Sequence, residues 1–439
     1  MKAGASVRFL NCIILVFLVI NMLGCTIPDS INGANYDTNY STVRSTFDTP
    51  SGTGSLATEG DTYIGLTEPV VEETVAEAPL SSEQQQTTRD EAGLDDSSLS
   101  SVMASQTGRY YYDTMDAQHH QLYAEILTIL LNHAEDVVVS TVDSDVLQYA
   151  YLCVIFDHPE IYWIDGYNYT RHTRGGQIIY ITFSGKYLYS QSQCQQFQYD
   201  IASYLSMFLG GISDTASEYQ KVKYTYDYVV NHTDYDLNSR DNQNILSVFL
   251  YGESVCQGYA KAMQYLLEQL GVKSTIVIGR TNTGEGHAWN LVNIDNAYYY
   301  LDATWGDASY TAGGEAYSSE LTLPVNYGYL NITTEEIERT HYIDCVVPMP
   351  RCVSMDANYY VMEGLYFTDY DYQRLYAIFD DAYLAGKEYV MFKCSSKEVY
   401  DTMYDELLND QEIFTLLRGD YSQVTFTKSD SNYTFCFWL

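Results

Sequence analysis

The stretch from Cys256 to Trp305 limits the fold more than any other part of the sequence. The segment Tyr251 to Ala260, which contains Cys256, is followed by an unbroken helical pattern from Lys261 to Leu270, closed by Gly271, a residue typical of helix C-termini. Three strand-like runs follow, at Ser274 to Ile278, His287 to Ile294 and Tyr298 to Trp305. A helix followed by consecutive strands predicts an α+β fold.

Three residues with catalytic side chains, a Cys, a His and an Asp, lie along this stretch. Cys256 is predicted to lie at the N-terminus of this helix, where free backbone N–H groups and the positive end of the helix dipole favour a thiolate. The same N–H groups can donate to a developing oxyanion. Asp295-Asn296 fits a two-residue hairpin turn, which places Trp289 opposite Asp302. His287 and Asp302 then share a face as diagonal neighbours about 7–8 Å apart at Cα, whereas a one-residue slip would separate them.

A thiol at a helix start, together with a His and an Asp on adjacent strands, is what nucleophilic acyl transfer requires. In this interpretation Cys256 attacks a carbonyl, His287 takes and returns the proton, and Asp302 fixes the imidazole tautomer. Taken singly, a Cys more often serves as a small buried apolar residue, and a His or Asp on a strand usually packs against neighbours or lies at the surface. The order and context of the three residues favour the catalytic interpretation.

Three short motifs resemble the signature of bacterial transglutaminase-like domains, a superfamily with a papain-like Cys-His-Asp fold. They are Val255-Cys256-Gln257-Gly258-Tyr259-Ala260, Gly286-His287-Ala288-Trp289-Asn290 and Tyr300-Leu301-Asp302-Ala303-Thr304-Trp305. The segment Asn231 to Asp236 upstream and the segment Asn331 to His341 downstream fit the same family. The resemblance implies that Cys256 is the nucleophile, His287 the base and Asp302 the residue that orients it.

The resemblance also suggests a substrate groove and shows one departure. Tyr259, Trp289 and Trp305 are predicted to bind substrate, although core packing explains the two Trp residues equally well. The family often places an acidic residue directly after the last Trp, whereas here Gly306 intervenes before Asp307. That difference leaves the local turn geometry open and does not affect the three catalytic positions.

The resemblance predicts the fold more narrowly than the reaction. Family members include protein cross-linking enzymes, deamidases, cysteine peptidases, peptide:N-glycanases and catalytically idle binding modules. The active ones share a thioester acyl-enzyme, which water or an amine then attacks. The sequence therefore predicts an extracytoplasmic cysteine enzyme acting on amide bonds of proteins or wall peptides. The alternative is a non-catalytic surface adhesion or scaffold lipoprotein with the same fold.

The first residues predict export. Lys2 and Arg8 provide a short positive segment, and the apolar run from Ile13 to Ile20 follows it. The residues before Cys25 resemble a bacterial lipobox, in which Cys25 becomes lipidated, although Met22 stands where Leu is usual. An ordinary cleaved signal peptide is the alternative. Either way we expect the mature chain outside the cytoplasm, membrane-anchored by lipid or secreted.

The composition divides the chain into five predicted parts. Ser, Thr, Glu, Asp and Gln dominate from Thr26 to Gln106, which is typical of a disordered linker, acting either as a spacer or as a solvated tail. The predicted parts are a lipoprotein signal peptide at 1–25, the linker at 26–106, an N-terminal α+β module at 107–214, the transglutaminase-like domain at 215–345 and a small two-layer α/β domain at 346–439.

Local patterns predict the elements of the two flanking parts. In the N-terminal module, helices are expected at Leu122 to Asn132, Asp145 to Ile155 and Gln195 to Leu209, and a strand at Gln177 to Phe183. The C-terminal domain is expected to follow a βαβαββ order. Its strands are predicted at Tyr359 to Met362, Tyr389 to Phe392, Gln423 to Phe426 and Tyr433 to Phe437, and its helices at Tyr372 to Ala385 and Ser396 to Leu408.

Charge limits the partners. With 22 basic against 58 acidic side chains the formal net charge is −36, so a large basic patch for nucleic acid or anionic lipid is not expected. The expected partner is a protein or peptide substrate, and any membrane contact would run through the lipid anchor. No phosphate loop, His–Glu zinc motif or calcium loop occurs, so no cofactor and no metal are predicted.

Cysteine usage leaves disulfides open. Of nine Cys, two lie at Cys12 and Cys25 in the signal segment, and Cys256 is the predicted nucleophile. An extracytoplasmic location permits disulfides among the rest without requiring them. Cys345 with Cys352, and Cys394 with Cys436, are the plausible pairs.

Overall fold

Three four-stranded sheets, one in each folded part, organise the described portion of the chain. The structure is a computed structural model and describes residues 71–76, 80–307, 324–419 and 421–439. The predicted signal peptide with its lipidation site Cys25, and the linker before residue 71, lie outside these residues. Within the described ranges, no helix is long and apolar enough to cross a membrane.

Two helices occupy the end of the stretch predicted to be a disordered linker. They are α1 at Ser82–Ala92 and α2 at Asp96–Gln106. Ser81 caps α1 and Asp95 caps α2, each accepting backbone N–H bonds. Leu94 and Leu99 are buried against the N-terminal module, and Arg89 forms an ion pair with the buried Glu125. The linker boundary at residue 106 is therefore corrected, because a largely polar helix needs only a narrow apolar face to dock.

The N-terminal module packs helices against a sheet of order β1-β3-β4-β2. Its strands are β1 Val71–Ala76, β2 Val137–Val139, β3 Ile164–Arg174 and β4 Gln177–Tyr187. Its helices are α3 Tyr110–Thr114, α4 His120–Asn132, α5 Ser144–Asp157 and α6 Gln191–Gly210. The helices α4, α5 and α6 and the strand β4 were all predicted. The helix α5 ends two residues before Pro159, which cannot continue a helix.

The central part builds its sheet in the order β10-β7-β8-β9, antiparallel throughout. Its elements are α7 Glu218–Asn231, β5 Asp234–Tyr235, β6 Glu253–Ser254, α8 Cys256–Gln269, β7 Ser274–Thr281, β8 Gly286–Ile294, β9 Ala297–Leu301, α9 Ala303–Gly306, α10 Thr334–Ile337 and β10 His341–Ile343. The helix α8 packs on β7 and β8, with α7 beside it. This arrangement brings the start of α8 to the end of the sheet where β8 begins.

The predicted hairpin register is confirmed. Asp295 and Asn296 both adopt left-handed backbone, with φ of 51° and 66°, as a two-residue hairpin turn of type I′ requires. Asn290 pairs with Leu301, the register that places Trp289 opposite Asp302. The strand run predicted to reach Trp305 ends at Leu301, however, because the Asp302 side chain caps the short helix α9.

The C-terminal domain keeps the predicted βαβαββ order with a different first strand. Its elements are α11 Tyr359–Met362, β11 Tyr366–Phe367, α12 Tyr372–Leu384, β12 Tyr389–Cys394, α13 Lys397–Tyr404, α14 Ile413–Leu416, β13 Phe426–Ser429 and β14 Thr434–Trp438. Tyr359–Met362, predicted as a strand, is helical, because Asn358 caps it by accepting from the Tyr360 N–H. The sheet order is β11-β12-β14-β13, with β11 parallel to β12.

Buried contacts join the C-terminal domain to the central part. Lys393 on β12 forms a 2.5 Å ion pair with Glu336 on α10, and both side chains are buried. Arg339 donates to the Ser431 carbonyl at 3.1 Å and stacks on the Tyr433 ring. Neither of the two plausible disulfide pairs is formed, since the cysteines among the described residues are all free: Cys153, Cys194, Cys256, Cys345, Cys352, Cys394 and Cys436.

Candidate active site

The start of α8 holds Cys256 in a tightly packed corner. Val255 precedes the helix in extended backbone, and its apolar side chain does not cap the first N–H groups of the helix. Gly258 lets this turn approach its neighbours, because a Cβ there would overlap the Ser254 hydroxyl and come within 2.8 Å of the Asn242 carbonyl. The Cys256 side chain itself is fully buried.

The β8–β9 hairpin places His287 and Asp302 next to the start of α8. His287 Nε2 and Asp302 Oδ2 are 2.7 Å apart, a charge-assisted hydrogen bond between buried groups. A side-chain hydrogen bond also joins His287 to Cys256. Because Nε2 is bonded to the carboxylate, Nδ1 is the ring nitrogen left for the sulfur. The three predicted catalytic residues therefore meet in the order thiol, imidazole, carboxylate.

A second histidine bonds the same carboxylate. His341 Nε2 lies 3.1 Å from Asp302 Oδ2, and its Nδ1 lies 2.8 Å from the Thr340 hydroxyl. The other carboxylate oxygen, Oδ1, accepts the backbone N–H groups of Thr304 and Trp305 at 2.9 and 3.1 Å. Asp302 thus accepts four hydrogen bonds in the interior, which fixes both of its oxygens.

The electrostatics of the two histidines differ. Burial by itself lowers the pKa of His287, but the Asp302 carboxylate outweighs burial and raises that pKa to about 10. Burial raises the pKa of Asp302, but the His287 and His341 contacts outweigh it and hold that pKa well below its ordinary value. For His341 burial dominates, so its pKa is lowered. At neutral pH the site therefore holds an imidazolium at 287, a carboxylate at 302 and a neutral imidazole at 341.

The protonation states define the hydrogen-bond directions. Asp302 is ionised and can only accept, so neutral His341 must carry its proton on Nε2 and donate it to Oδ2. Nδ1 of His341 is then an acceptor, and the Thr340 hydroxyl donates to it. This fixes one tautomer of the second histidine.

His287, Asp302 and His341 also form a group of metal-ligand type, with one ligand atom from each within 4.8 Å of the others. The 2.7 Å separation of His287 Nε2 and Asp302 Oδ2 is that of a direct hydrogen bond. Two ligands of a tetrahedral zinc, each about 2.0–2.2 Å from the ion, lie roughly 3.4 Å apart. The three side chains are therefore arranged as hydrogen-bond partners and are too close together to be ligands of one zinc ion.

The three predicted substrate-binding residues occupy different environments. Tyr259 and Trp289 are buried, at 0% and 1% exposure, so both act as packing residues in this structure. Trp305 is half-buried and packs against the His287 and His341 rings, with centroids 6.1 and 4.7 Å away. Of the three, Trp305 is the one that combines contact with the site and access to solvent.

The departure after Trp305 has a structural reason. The Tyr259 hydroxyl bonds to Asp307 Oδ2 at 2.8 Å, which anchors the acidic residue to the helix of the nucleophile. A Cβ at Gly306 would overlap the Tyr226 hydroxyl, which donates to the Asp302 carbonyl at 3.0 Å. The glycine therefore makes room for a tyrosine that supports the Asp302 backbone.

Comparison with known proteins supports the same superfamily. Residues 207–303 match the family model described as the transglutaminase-like superfamily. With that match and the elements above, the predicted fold class is confirmed: the fold is α+β with a transglutaminase-like, papain-like core. No curated protein matches the chain.

Two solved structures are similar over part of the chain. One is described as a TGase; it is 19% identical, with a TM-score of 0.23, over 36% of this chain and 48% of that one. The other is a candidate cysteine protease from Cytophaga hutchinsonii, 22% identical with a TM-score of 0.18, over 19% of this chain and 30% of that one. The chain therefore spans less than half the length of either structure.

His341 is the site residue to which the sequence assigned no role. Its segment, Asn331 to His341, fitted the family resemblance, but no local pattern ties a His to an Asp 39 positions earlier. The pairing of β10 with β7 creates the contact, since His341 lies opposite Thr281 at the end of the sheet near His287.

Proposed function

We propose that this protein is an extracytoplasmic transglutaminase-like cysteine enzyme that acts on amide bonds of proteins or wall peptides. The observation that carries the proposal is the hydrogen-bonded series Cys256, His287, Asp302 at the start of a helix. Each group has the partner that its role in acyl transfer needs.

The proposed reaction has two halves. The Cys256 thiolate forms a bond to the amide carbonyl carbon, and the N–H groups at the start of α8 stabilise the oxyanion. The C–N bond then breaks as His287 gives its proton to the leaving amine, which leaves a thioester. Water or an amine attacks that thioester, His287 takes the proton from the attacking group, and the Cys256 thiolate leaves. The products are an acid or a new amide.

The second half-reaction can be identified with a defined peptide mixture, a labelled primary amine and mass spectrometry. Released peptide termini indicate a peptidase, label on glutamine a transamidase, and conversion of glutamine to glutamate a deamidase. Each product must disappear in the Cys256→Ala variant and persist in Cys394→Ala, which removes a thiol of the C-terminal domain. Products that persist in Cys256→Ala would contradict the proposal.

The second candidate is a non-catalytic adhesion or scaffold module. The burial of Cys256 favours it, because a fully buried thiol offers no surface to a substrate in this conformation. A Cys256→Ala strain that retains every cellular phenotype of the wild type would support this candidate.

The proposed location rests on the sequence before residue 71. The apolar run from Ile13 to Ile20 and the lipobox-like residues before Cys25 support export and lipid anchoring. We expect Cys25→Ser to move the protein from the membrane fraction to the medium. A variant that stays in the membrane fraction would contradict lipidation at this residue.

A further inference from the structure

One face of α8 beside the nucleophile carries buried polar groups without partners. The Lys261 side chain is 6% exposed, and its ammonium forms no hydrogen bond or ion pair with the residues that the structure describes. Gln257 is 8% exposed, and its Oε1 has no hydrogen-bond partner. Both residues keep a small exposed fraction, so solvent reaches this face of α8.

Helix geometry places Gln257 and Lys261 together, on the face of α8 next to the one that carries Cys256. Gln257 and Lys261 are four residues apart and therefore lie on one face of α8. Lys261 is five residues beyond Cys256, about 7.5 Å along the helix axis and about 140° around it, so the reach of its long side chain is what brings the ammonium toward the thiol. Long helical side chains lie over the preceding turn, so the ammonium extends toward Gln257 and the Cys256 end of the helix.

The Lys261 ammonium has no ion-pair partner among the described residues. Burial lowers the pKa of Lys261 to about 8, and the exposed Asp165 opposes this only through its field, without an ion pair. An unpaired buried charge destabilises a fold, and lysine is seldom buried without a partner. The chain has 58 acidic side chains from which a partner could have come. The missing anion is therefore best supplied by a ligand.

We propose that Lys261 and Gln257 form a carboxylate-binding subsite beside Cys256, so that its amide substrates carry a free carboxylate close to the bond that is attacked. The carboxylate is either the α-carboxylate of a terminal residue or an acidic side chain. The ammonium supplies the charge, and Gln257 supplies a second donor through its amide Nε2, because its Oε1 can only accept. The substrate class rests on the proposed function, whereas anion binding at the subsite does not.

The subsite can be tested without knowing the substrate, by alkylating Cys256 with iodoacetate and with iodoacetamide. In both reactions the sulfur bonds to the methylene carbon and iodide leaves with the bonding electrons. The reagents differ mainly in the negative charge of iodoacetate. The ratio of their rate constants at Cys256, measured by peptide mapping, therefore reports a cation beside the thiol.

We expect Lys261→Met to lower the iodoacetate to iodoacetamide ratio at least tenfold while the iodoacetamide rate changes less than twofold. Lys261→Arg should retain most of the wild-type ratio. Lys273→Met, which removes an exposed lysine after the far end of α8, is the control for net charge and should leave the ratio unchanged.

Two results would overturn the subsite. One is an equal ratio in wild type and Lys261→Met. The other is a wild-type Cys256 that neither reagent labels, since a site closed to a two-carbon acid cannot bind a substrate carboxylate. Lys261→Met should also raise the melting temperature, because it removes an unpaired interior charge. If that variant does not fold, Lys261→Gln gives the same comparison.

Pairs of peptide substrates distinguish an α-carboxylate from a side-chain carboxylate. They also distinguish failure of the subsite from failure of the proposed enzyme function. Free against amidated C-termini test the α-carboxylate, and Asp against Asn next to the scissile bond tests the side chain. We expect one pair to differ at least tenfold in kcat/KM in wild type and less than threefold in Lys261→Met. If the alkylation ratio depends on Lys261 but no peptide is turned over, the carboxylate subsite is retained and the proposed enzyme function is contradicted. If peptides are turned over at rates that do not depend on either carboxylate, the enzyme function is retained and the subsite is contradicted.

Discussion

At the residue scale, Asp302 determines how the two histidines behave. Its Oδ2 accepts from both rings, yet burial leaves His341 neutral while the ion pair keeps His287 protonated. The neutral ring adds a hydrogen bond to the carboxylate without adding a charge. We therefore interpret His341 as a positioning residue that fixes the oxygen on which His287 depends.

Substitutions of His341 can distinguish a role in positioning Asp302 from a role in packing alone. His341→Phe removes the donor to Asp302. We expect kcat to fall about 10–150-fold, the equivalent of a hydrogen bond to a charged group at about 1.5–3 kcal/mol, with KM nearly unchanged. His341→Gln should recover most of kcat, because its amide N–H can reach the same oxygen. His232→Phe, at an exposed histidine, is the control. Equal loss in the Phe and Gln variants would contradict positioning.

The pKa shift of His287 predicts a pH-dependent contribution to stability. Because its folded-state pKa is raised to about 10, the stabilisation is complete below the ordinary histidine value near 6.5 and is lost as the pH rises toward 10. We expect the melting temperature of wild type to exceed that of His287→Gln most clearly at pH 6, and the gap to shrink by pH 10. A gap that widens with pH would contradict the ion pair.

At the element scale, the first turn of α8 depends on a glycine. The tight approach at Gly258 predicts that Gly258→Ala costs about 1–3 kcal/mol of unfolding free energy, since the neighbouring hydroxyl and carbonyl must move. Gly210, in helix α6, has open space at the Cβ position, so Gly210→Ala should stabilise by about 0.5–1 kcal/mol. Urea unfolding of both variants checks the opposite signs; a neutral Gly258→Ala would contradict the packing.

Elements with local signals were predictable from the sequence, and those that depend on distant contacts were not. The turn at Asp295-Asn296 sets the β8–β9 register by itself, so the His287–Asp302 pairing could be predicted. The contact of His341 with Asp302 forms through sheet pairing across 39 positions, for which no local pattern exists. The helix Ser82–Ala92 was missed because its composition is that of a linker, although Ser81 and Gln84 form a capping box.

At the scale of the whole molecule, ion pairs connect the central part to the N-terminal module and to the C-terminal domain. Arg109 of the N-terminal module forms a 2.6 Å ion pair with Glu268 of α8, and Lys393 of the C-terminal domain pairs with Glu336. The Lys393–Glu336 pair is buried, so removing either partner leaves a buried charge unpaired, which is strongly destabilising. These contacts were not predicted, because charge pairing between domains has no signature in a sequence with a net charge of −36.

The most direct test of acyl transfer is capture of the covalent intermediate. The protein is mixed with the peptide mixture, quenched in acid within a second and measured by intact-protein mass spectrometry, with peptide mapping to locate the adduct. We expect an acyl adduct on Cys256 that hydroxylamine removes, no adduct in Cys256→Ala, and much less in His287→Ala. An adduct that remains in Cys256→Ala, or peptide turnover without Cys256, would contradict the assignment of Cys256 as the nucleophile.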